Sequence, residues 1–426
     1  MQTLIRIIIL AISAVYIISW LYPAYWNWSV LPLDVLYPIN IILLTFAILF
    51  TAIPRISEIV WDLKSKVLQT LMMKMDAFPK ILKTALWIII PAALFFLLRS
   101  HSYILGDGNL IIGNIVDGIP ISLTAFGYSQ LVSLLAELFA IETHAQAANL
   151  MAALSIICGL IYTCFLYKIL SLLIDDYRVR LWLFLIIYLS GISVIFAGYV
   201  ETYPILLAWL VIYLHSIIES LKYKSAILIP AGILAVGLFW HIWFLAFVPS
   251  LLWMINKRYR LISRLFMILI TAIYIIGIYI GGTFTSRSDI QTTLPLIPND
   301  STNYFLFSPV HFADILNVIF IAGPVLGFIA LVYLFIPSVC RQSENLRFFL
   351  WAAVPAFLVS FMIDPVLGAP RDWDLLSIYA LPAFLFAAVI LSNANSTTKK
   401  IRTLLIPILL LNIVHFASFA AINMKP

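Results

Sequence analysis

The chain has 426 residues, of which 64% are hydrophobic and only 10% are charged, and its mean hydropathy is +1.08. A soluble domain carries about 25% charged residues, so this composition excludes an ordinary soluble globular protein. The formal net charge of +6 does not indicate a nucleic-acid partner, because the basic residues lie between apolar segments, mostly on one predicted side of a membrane.

Apolar runs long enough to cross a membrane recur from end to end of the chain. About 20 apolar residues in a helix cross a hydrocarbon core of about 30 Å. The runs do not alternate as transmembrane barrel strands do. The sequence therefore predicts one all-α domain over 1–426, a transmembrane helix bundle of about 13 spans. The spans are expected at 4–22, 35–53, 84–98, 145–167, 181–199, 204–221, 226–240, 242–255, 261–281, 317–336, 348–363, 377–392 and 403–422.

The distribution of basic residues orients this bundle. Lysine and arginine concentrate in cytoplasmic loops, and with a cytoplasmic N-terminus only four of the 25 fall on the outer side. Those four are Arg99, Arg287, Arg371 and Lys425. Twelve of the 19 acidic residues fall on the outer side, a surplus that membrane insertion does not require and that indicates a function there. We expect a multi-pass plasma-membrane protein whose active site faces the exterior or periplasm.

The apolar stretch from residue 227 to residue 255 is too long for one straight span. We predict a break near Trp240 and His241, with two short helices that meet at the outer face. Such a hairpin is tolerated where it packs against protein or lines a water-filled cavity.

Three segments are expected to lie beside the spans. The segment 54–83 has apolar residues at helical spacing with lysines opposite, which predicts an amphipathic helix on the cytoplasmic leaflet. The segment 99–144 is predicted to be an outer loop with interfacial helices. The segment 282–316 is a second long outer loop and a candidate lid.

Four outer segments contain the candidate reactive residues. Asp107 lies between two glycines, which allow close approach of a ligand, although an ordinary capped turn has the same pattern. Glu201 lies between Tyr199 and Tyr203 in a very short connection, where the tyrosines alone would be typical of the interfacial belt. His241 is the single ionisable residue of a long apolar run, which favours a functional role.

The fourth segment combines one arginine with an aromatic residue and several acids. Its reactive residues are Arg371, Asp372, Trp373 and Asp374. Arginine binds phosphate oxygens bidentately, and a tryptophan ring is a platform for the apolar face of a sugar. A surface loop whose charged side chains simply pair with one another would have the same composition. If the four segments meet, they form a site at the outer interface, whereas a transporter is expected to bury its ionisable groups near the midplane.

These segments resemble the GT-C superfamily of integral membrane glycosyltransferases, which take sugars from polyprenyl-phosphate carriers. The resemblance lies in residues 106–108, 198–203, the residues around His241, 306–314 and 371–375. It implies a GT-C-like bundle that inverts the sugar's configuration as it transfers the sugar to an acceptor hydroxyl on a glycan, lipid or protein. Two alternatives are a polymerase or ligase of lipid-linked glycans and a lipid or sugar transporter without covalent chemistry.

The resemblance also implies residue roles. Asp107 is the expected general base, with Glu201 as its catalytic partner. The donor phosphate is expected at Arg371, His241 and Arg287, and the sugar at Tyr199, Tyr203, Asp372, Trp373 and Asp374. The acidic loop follows the third span here and the first span in the superfamily, and Asp107 has no paired acid. A divalent cation would therefore need ligands from separate loops, and its presence is left open.

Overall fold

A computed structural model describes residues 2–21, 28–29, 35–62, 79–102, 106–122, 124–224, 227–256, 293–297, 304–336, 343–365, 368–398 and 401–424. These residues are helical almost throughout, and within them the only β-type pairing is an isolated bridge between Thr293 and Ile363. The predicted all-α class is confirmed.

The helices follow one another closely along the chain. They are α1 (Gln2–Leu21), α2 (Tyr37–Ala52), α3 (Pro54–Asp62), α4 (Lys80–Leu97), α5 (Gly108–Val116), α6 (Phe126–Leu138), α7 (His144–Leu173), α8 (Tyr177–Tyr188), α9 (Tyr203–Tyr223), α10 (Leu228–Trp240), α11 (Val248–Asn256), α12 (Pro309–Ala322), α13 (Pro324–Leu334), α14 (Glu344–Met362), α15 (Trp373–Leu376), α16 (Ala380–Thr398) and α17 (Leu405–Met424). Short 3-10 helices cover Gly191–Phe196, Ile242–Phe247 and Ile401–Leu404.

Several helices are long and apolar enough to cross a membrane. In the described part of the chain there are 5 of these, namely α1, α7, α9, α14 and α17, or up to 6 if the bent pair α2 and α3 is one span. Shorter apolar helices occupy much of the rest. The protein thus has the helices of a membrane protein, while the count of about 13 spans stays a prediction. The span expected at 261–281 lies outside the described residues.

Two predicted spans are not single helices. The segment predicted as a span over 181–199 is a broken helix, because α8 ends at Tyr188 and a 3-10 helix follows from Gly191. A Cβ on Gly191 would lie 1.7 Å from the carbonyl oxygen of Ile321, so the two backbones touch there. The segment predicted as a span over 317–336 is also broken, because its helix begins earlier, at Pro309, and breaks at Gly323, before Pro324. Proline disfavours helical backbone in the residue that precedes it.

The predicted break near Trp240 is confirmed. Helix α10 ends at Trp240, His241 has extended backbone, and the chain continues as a 3-10 helix before α11. The N–H of Ile242 donates to the carbonyl oxygen of Thr124 at 2.8 Å, which ties this break to the segment before α6.

The segments beside the spans are described in part. Within 54–83, α3 turns from α2 by 106°, and its Trp61 stacks on Trp182 with ring centroids 5.5 Å apart, while 63–78 lie outside the described residues. Within 99–144, α5 and α6 form a small apolar core against the first half of α7, around Ile111, Tyr128 and Met151. Of 282–316 the structure describes 293–297 and 304–316, so Arg287 lies outside it.

Capping side chains fix several helix starts. Thr143 and Gln146 form a capping box at α7, in which the Gln146 N–H donates to the Thr143 hydroxyl at 3.3 Å. Ser308 caps α12 and Ser343 caps α14 with the hydroxyl alone, which accepts from the N–H of His311 and of Leu346, respectively. Each cap satisfies a backbone N–H that has no partner inside its own helix, so the turns before these helices are well defined.

Candidate active site

The Gly106–Asp107 turn leads directly into α5. Asp107 occupies the N-cap position of that helix, but its side chain makes no capping hydrogen bond. Gly106 has a φ of 130°, a conformation that L side chains rarely adopt. The carboxyl group of Asp107 is therefore not occupied by the ordinary capping role, and it stays half-buried at the turn.

Glu201 holds this turn through the backbone. The N–H of Asp107 donates to Glu201 Oε1 at 2.5 Å, and the N–H of Thr202 donates to Oε2 at 3.3 Å. A Cβ on Gly106 would lie 2.7 Å from Glu201 Oε1 and 3.0 Å from the Tyr199 hydroxyl. Only glycine leaves room for these two side chains to approach the turn so closely.

Arg371 reaches the other side of the same turn. Its Nη2 donates to the carbonyl oxygen of Gly106 at 3.1 Å, across 265 residues of sequence. A turn at Gly368, whose φ is 86°, presents the arginine, since the carbonyl oxygen of Gly368 accepts from the N–H groups of Arg371 and Asp372. Three segments that are distant in sequence thus meet at Gly106 and Asp107.

Buried aromatic rings pack beneath this meeting point. Trp373 Nε1 donates to the Tyr199 hydroxyl at 3.3 Å, and the Trp373 ring meets Phe419 edge-on with centroids 4.9 Å apart. Trp373 is 0% exposed. Its ring therefore has no free face for a sugar, and its position suits a support for the Arg371 loop.

The acidic side chains around the turn are largely buried. Glu201, Asp372 and Asp374 are 5%, 7% and 3% exposed. The N–H of Leu375 donates to Asp374 Oδ1 at 2.8 Å, whereas Oδ2 has no hydrogen-bond partner among the described residues. An unpartnered buried polar atom is costly for stability, so Asp374 Oδ2 marks this cluster as a place where a ligand atom can bind.

Burial and mutual repulsion change the ionisation of these acids. Burial raises the pKa of Glu201 to about 8, against the opposing effect of the two N–H donors, and the negative charges of Asp107 and Asp372 add to the rise. Burial, with the charges of Glu201 and Asp372, raises the pKa of Asp374 well above its ordinary value. Burial also raises the pKa of Asp107, but the positive charge of Arg371 opposes this rise. Burial thus favours the neutral form of Glu201 near neutral pH, whereas at Asp107 the charge of Arg371 opposes the effect of burial.

His241 lies next to this cluster but does not act as a cation. It is 0% exposed, and burial lowers its pKa to about 3. Its Nδ1 accepts from the N–H of Trp243 at 3.3 Å, and its Nε2 lies 3.4 Å from the Thr202 hydroxyl, while the ring packs on Tyr203 at 5.5 Å. A neutral imidazole with Nδ1 as acceptor can donate only from Nε2. The position supports Thr202 and Glu201, and it does not suit an imidazolium that binds phosphate.

The segment 306–314 belongs to a second polar cluster, which also contains two residues that the sequence did not single out. Asp314 accepts from Trp28 Nε1 and from the Tyr304 hydroxyl, each at 2.9 Å. His311 lies 3.2 Å from the Tyr304 hydroxyl through Nδ1, and its Nε2 donates to the carbonyl oxygen of Phe361 at 2.8 Å. Trp28 and Tyr304 carry no sequence signal of this role.

The acids of the candidate site do not form an evident metal site. Among the described residues no three histidine, cysteine, aspartate or glutamate side chains are grouped so that they could hold a metal ion. A divalent cation at this site would therefore need ligands besides such a group, for example phosphate oxygens of a substrate.

Comparisons with protein-family models, with curated protein sequences and with solved structures found no match to this chain. The resemblance to the GT-C superfamily rests on the sequence segments alone.

Proposed function

We propose that this protein is a membrane glycosyltransferase that moves a sugar from a polyprenyl-phosphate carrier to an acceptor hydroxyl, with inversion at the anomeric carbon. The observation that carries the proposal is the contact between the Gly106–Asp107 turn and Arg371, with Glu201 behind the turn. It puts an ionisable carboxyl beside a cation in a helical protein that crosses a membrane. Glycosyl transfer from a lipid phosphate needs both groups, one for the attacking oxygen and one for the leaving phosphate.

Asp107 is the general base in this reaction. Its carboxylate takes the proton of the acceptor hydroxyl as the oxygen attacks the anomeric carbon. The bond from that carbon to the phosphate oxygen breaks, and the polyprenyl phosphate leaves with the electron pair. A base works best when its pKa lies near the working pH, and burial moves the pKa of Asp107 in that direction.

Arg371 stabilises the departing phosphate. A guanidinium has five N–H donors, and the described contact of Nη2 with the Gly106 carbonyl orients the group and leaves other donors for phosphate oxygens. A preoriented cation stabilises the negative charge that grows on the leaving group. Of the other predicted phosphate ligands, Arg287 lies outside the described residues and neutral His241 suits a supporting role better.

The buried acids position and recognise the sugar. Glu201 keeps its proton near neutral pH and fixes the Asp107 backbone, so its role is to position the base. Asp374 Oδ2 has no partner among the described residues, which suits an acceptor for a sugar hydroxyl, and Asp372 lies beside it. The buried side chains of Tyr199, Tyr203 and Trp373 support these groups. The steps proposed for these residues are written without a divalent cation, and among the described residues no group of three acidic, histidine or cysteine side chains is placed to hold one.

The location follows from the charge distribution. Arg371, Asp107 and Glu201 are in the segments that the basic residues assign to the outer side. We place the reaction at the exterior or periplasmic face of the plasma membrane, where the lipid part of the donor stays in the bilayer. A glycan, a lipid or a protein hydroxyl is the acceptor.

The test is transfer by the full chain in proteoliposomes that contain a polyprenyl-phosphate-linked sugar and a panel of hydroxyl acceptors. Asp107→Asn keeps the shape of the side chain but cannot take a proton, so we expect transfer to fall by about 10²–10⁴-fold. Asp117→Asn is the matched control, because Asp117 is an exposed acid at the other end of α5. Unchanged transfer by Asp107→Asn would exclude Asp107 as the base.

The same proteoliposomes separate the two alternatives. A polymerase or ligase would use a lipid-pyrophosphate oligosaccharide and ignore the monophosphate donor. A transporter would exchange labelled lipid or sugar across the bilayer with Asp107→Asn as fast as with the original protein. Either result would replace the transferase proposal.

A further inference from the structure

Arg99 is a cation at the outer end of the bundle that the proposed reaction does not use. It follows α4, whose last residues Phe96 and Leu97 are 63% and 68% exposed. Exposed apolar side chains on an apolar helix of a membrane protein face lipid. Since Arg99 comes two residues after Leu97, it lies where the lipid-facing surface ends and the headgroups begin.

The backbone and the side-chain stem of Arg99 are held in place. The N–H of Ser100 donates to the carbonyl oxygen of Ala197 at 2.8 Å. The stem lies across Gly198, where a Cβ would approach Arg99 Cγ to 2.7 Å and where φ is 64°. Gly198 directly precedes Tyr199 of the candidate active site. The glycine therefore provides the space for Arg99, and the arginine is close to the site in sequence and in space.

The guanidinium has a polar anchor but no acidic partner. Its Nη2 donates to Asn149 Oδ1 at 2.6 Å, and its Nε is buried without a hydrogen-bond partner among the described residues. No carboxylate in the described ranges forms an ion pair with it. Asn149 is exposed on α7, so its amide nitrogen is accessible beside the guanidinium. A fixed cation without a counter-charge at headgroup depth attracts an anion.

We propose that Arg99 and Asn149 form a binding site for the phosphate group of a membrane lipid, separate from the phosphate position at Arg371. The guanidinium contacts two phosphate oxygens, the Asn149 amide donates to the same group, and the lipid chain runs along the exposed side of α4. The phosphate belongs either to a polyprenyl phosphate or to an anionic bilayer phospholipid. The polyprenyl source rests on the proposed function, whereas the phosphate site itself does not.

The test measures lipid retention by the full chain without an acceptor, so it does not depend on transfer. The protein is placed in phosphatidylcholine nanodiscs that contain either a polyprenyl monophosphate or phosphatidylglycerol, and bound lipid is counted by native mass spectrometry after release. We expect Arg99→Gln to retain roughly tenfold less of at least one probe, as for loss of a charged hydrogen bond. Asn149→Ala should reduce retention less, because the cation stays.

The matched control is Arg402→Gln, which removes the same charge at the predicted cytoplasmic end and should retain both probes within about twofold of the original protein. A loss by Arg99→Gln of the polyprenyl probe alone assigns the site to the donor or the released carrier. A loss of both probes assigns it to lipid phosphates in general. Equal retention of both by Arg99→Gln and the original protein, at unchanged elution volume, would overturn the proposal, whether or not transfer by the Asp107 site is found.

Discussion

Two polar clusters of this protein are assembled in the same way but differ in how their hydrogen bonds are completed. In the Asp314 cluster, both carboxylate oxygens accept a hydrogen bond, one from Trp28 and one from Tyr304. In the candidate active site, Asp374 keeps one buried oxygen without a partner among the described residues. A satisfied polar network stabilises a fold, whereas an unsatisfied one costs stability and is kept for a function. The first cluster therefore reads as structural and the second as functional.

The largest loss of transfer activity is expected at Gly106, where the residues of the candidate site approach one another most closely. Gly106→Ala places a methyl group 2.7 Å from Glu201 Oε1, so the turn and the Asp107 carboxyl must move. A displacement of about 1 Å in a catalytic group costs about 10²-fold in rate, and we expect at least that loss of transfer in proteoliposomes.

The control for that prediction is Gly118→Ala. Gly118 also has a positive φ, of 69°, but a Cβ there would meet nothing within 4 Å. The Gly118→Ala variant therefore introduces backbone strain without a steric clash like the one with Glu201, and it should keep most of the transfer activity. Equal losses in both variants would mean that strain, and not the contact with Glu201, explains the result.

A second prediction compares one acid from each cluster. Asp314→Ala leaves the Trp28 N–H and the Tyr304 hydroxyl without their acceptor, so we expect the free energy of unfolding to fall by about 1–3 kcal/mol. Asp374→Asn keeps the acceptor for the Leu375 N–H and removes a buried ionisable group, so its melting temperature should equal or exceed that of the original protein while transfer falls. The melting curves are recorded in one detergent at one pH. A less stable Asp374→Asn would contradict the functional reading of that acid.

The last prediction concerns the pH dependence of stability. Glu201 has a pKa of about 8 in the folded protein against an ordinary value of 4.5, so the folded state binds its proton more tightly than the unfolded state does. The stability contribution of this proton is fully present at pH values below the ordinary pKa of 4.5 and is lost as the pH rises through about 8. The melting temperature should therefore decrease between these two pH values.

Glu201→Gln is expected to flatten this pH dependence, because its amide still accepts from the Asp107 N–H but has no proton to lose. Glu142→Gln, at an exposed glutamate in the same outer segment, should leave the dependence unchanged. If the melting temperatures of the original protein and of Glu201→Gln decrease in parallel, another group is responsible for the pH dependence.

The sequence predicted the helical class well because a membrane core requires long apolar helices, and these are visible in the sequence as long apolar runs. It predicted the break at Trp240 because one run was too long for one span. It did not predict the end of α8 at Tyr188, because the cause is tertiary: the backbone at Gly191 touches the carbonyl of Ile321, 130 positions further along the chain. No local pattern contains that contact.

For the candidate site, too, the sequence predicted one part of the arrangement and could not predict the other. Asp107, Glu201 and Arg371 were selected as reactive residues on one predicted membrane face, and the structure brings them together at the Gly106–Asp107 turn. The roles of Trp373 and His241 could not be inferred, because both depend on complete burial, which a sequence does not display. Trp28 and Tyr304 were missed since an indole and a phenol at a predicted membrane boundary are ordinary there.

The residues that meet at the Gly106–Asp107 turn are far apart in sequence, so the ribosome synthesises them at different times. Glu201 lies 94 residues after Asp107, whereas Arg371 lies 265 residues after Gly106. At typical ribosomal speeds the arginine emerges on the order of tens of seconds after the turn. During that interval the nascent chain carries Asp107, and later Glu201, without Arg371. We expect a fragment that stops before residue 371 to insert into the membrane without the proposed transfer activity.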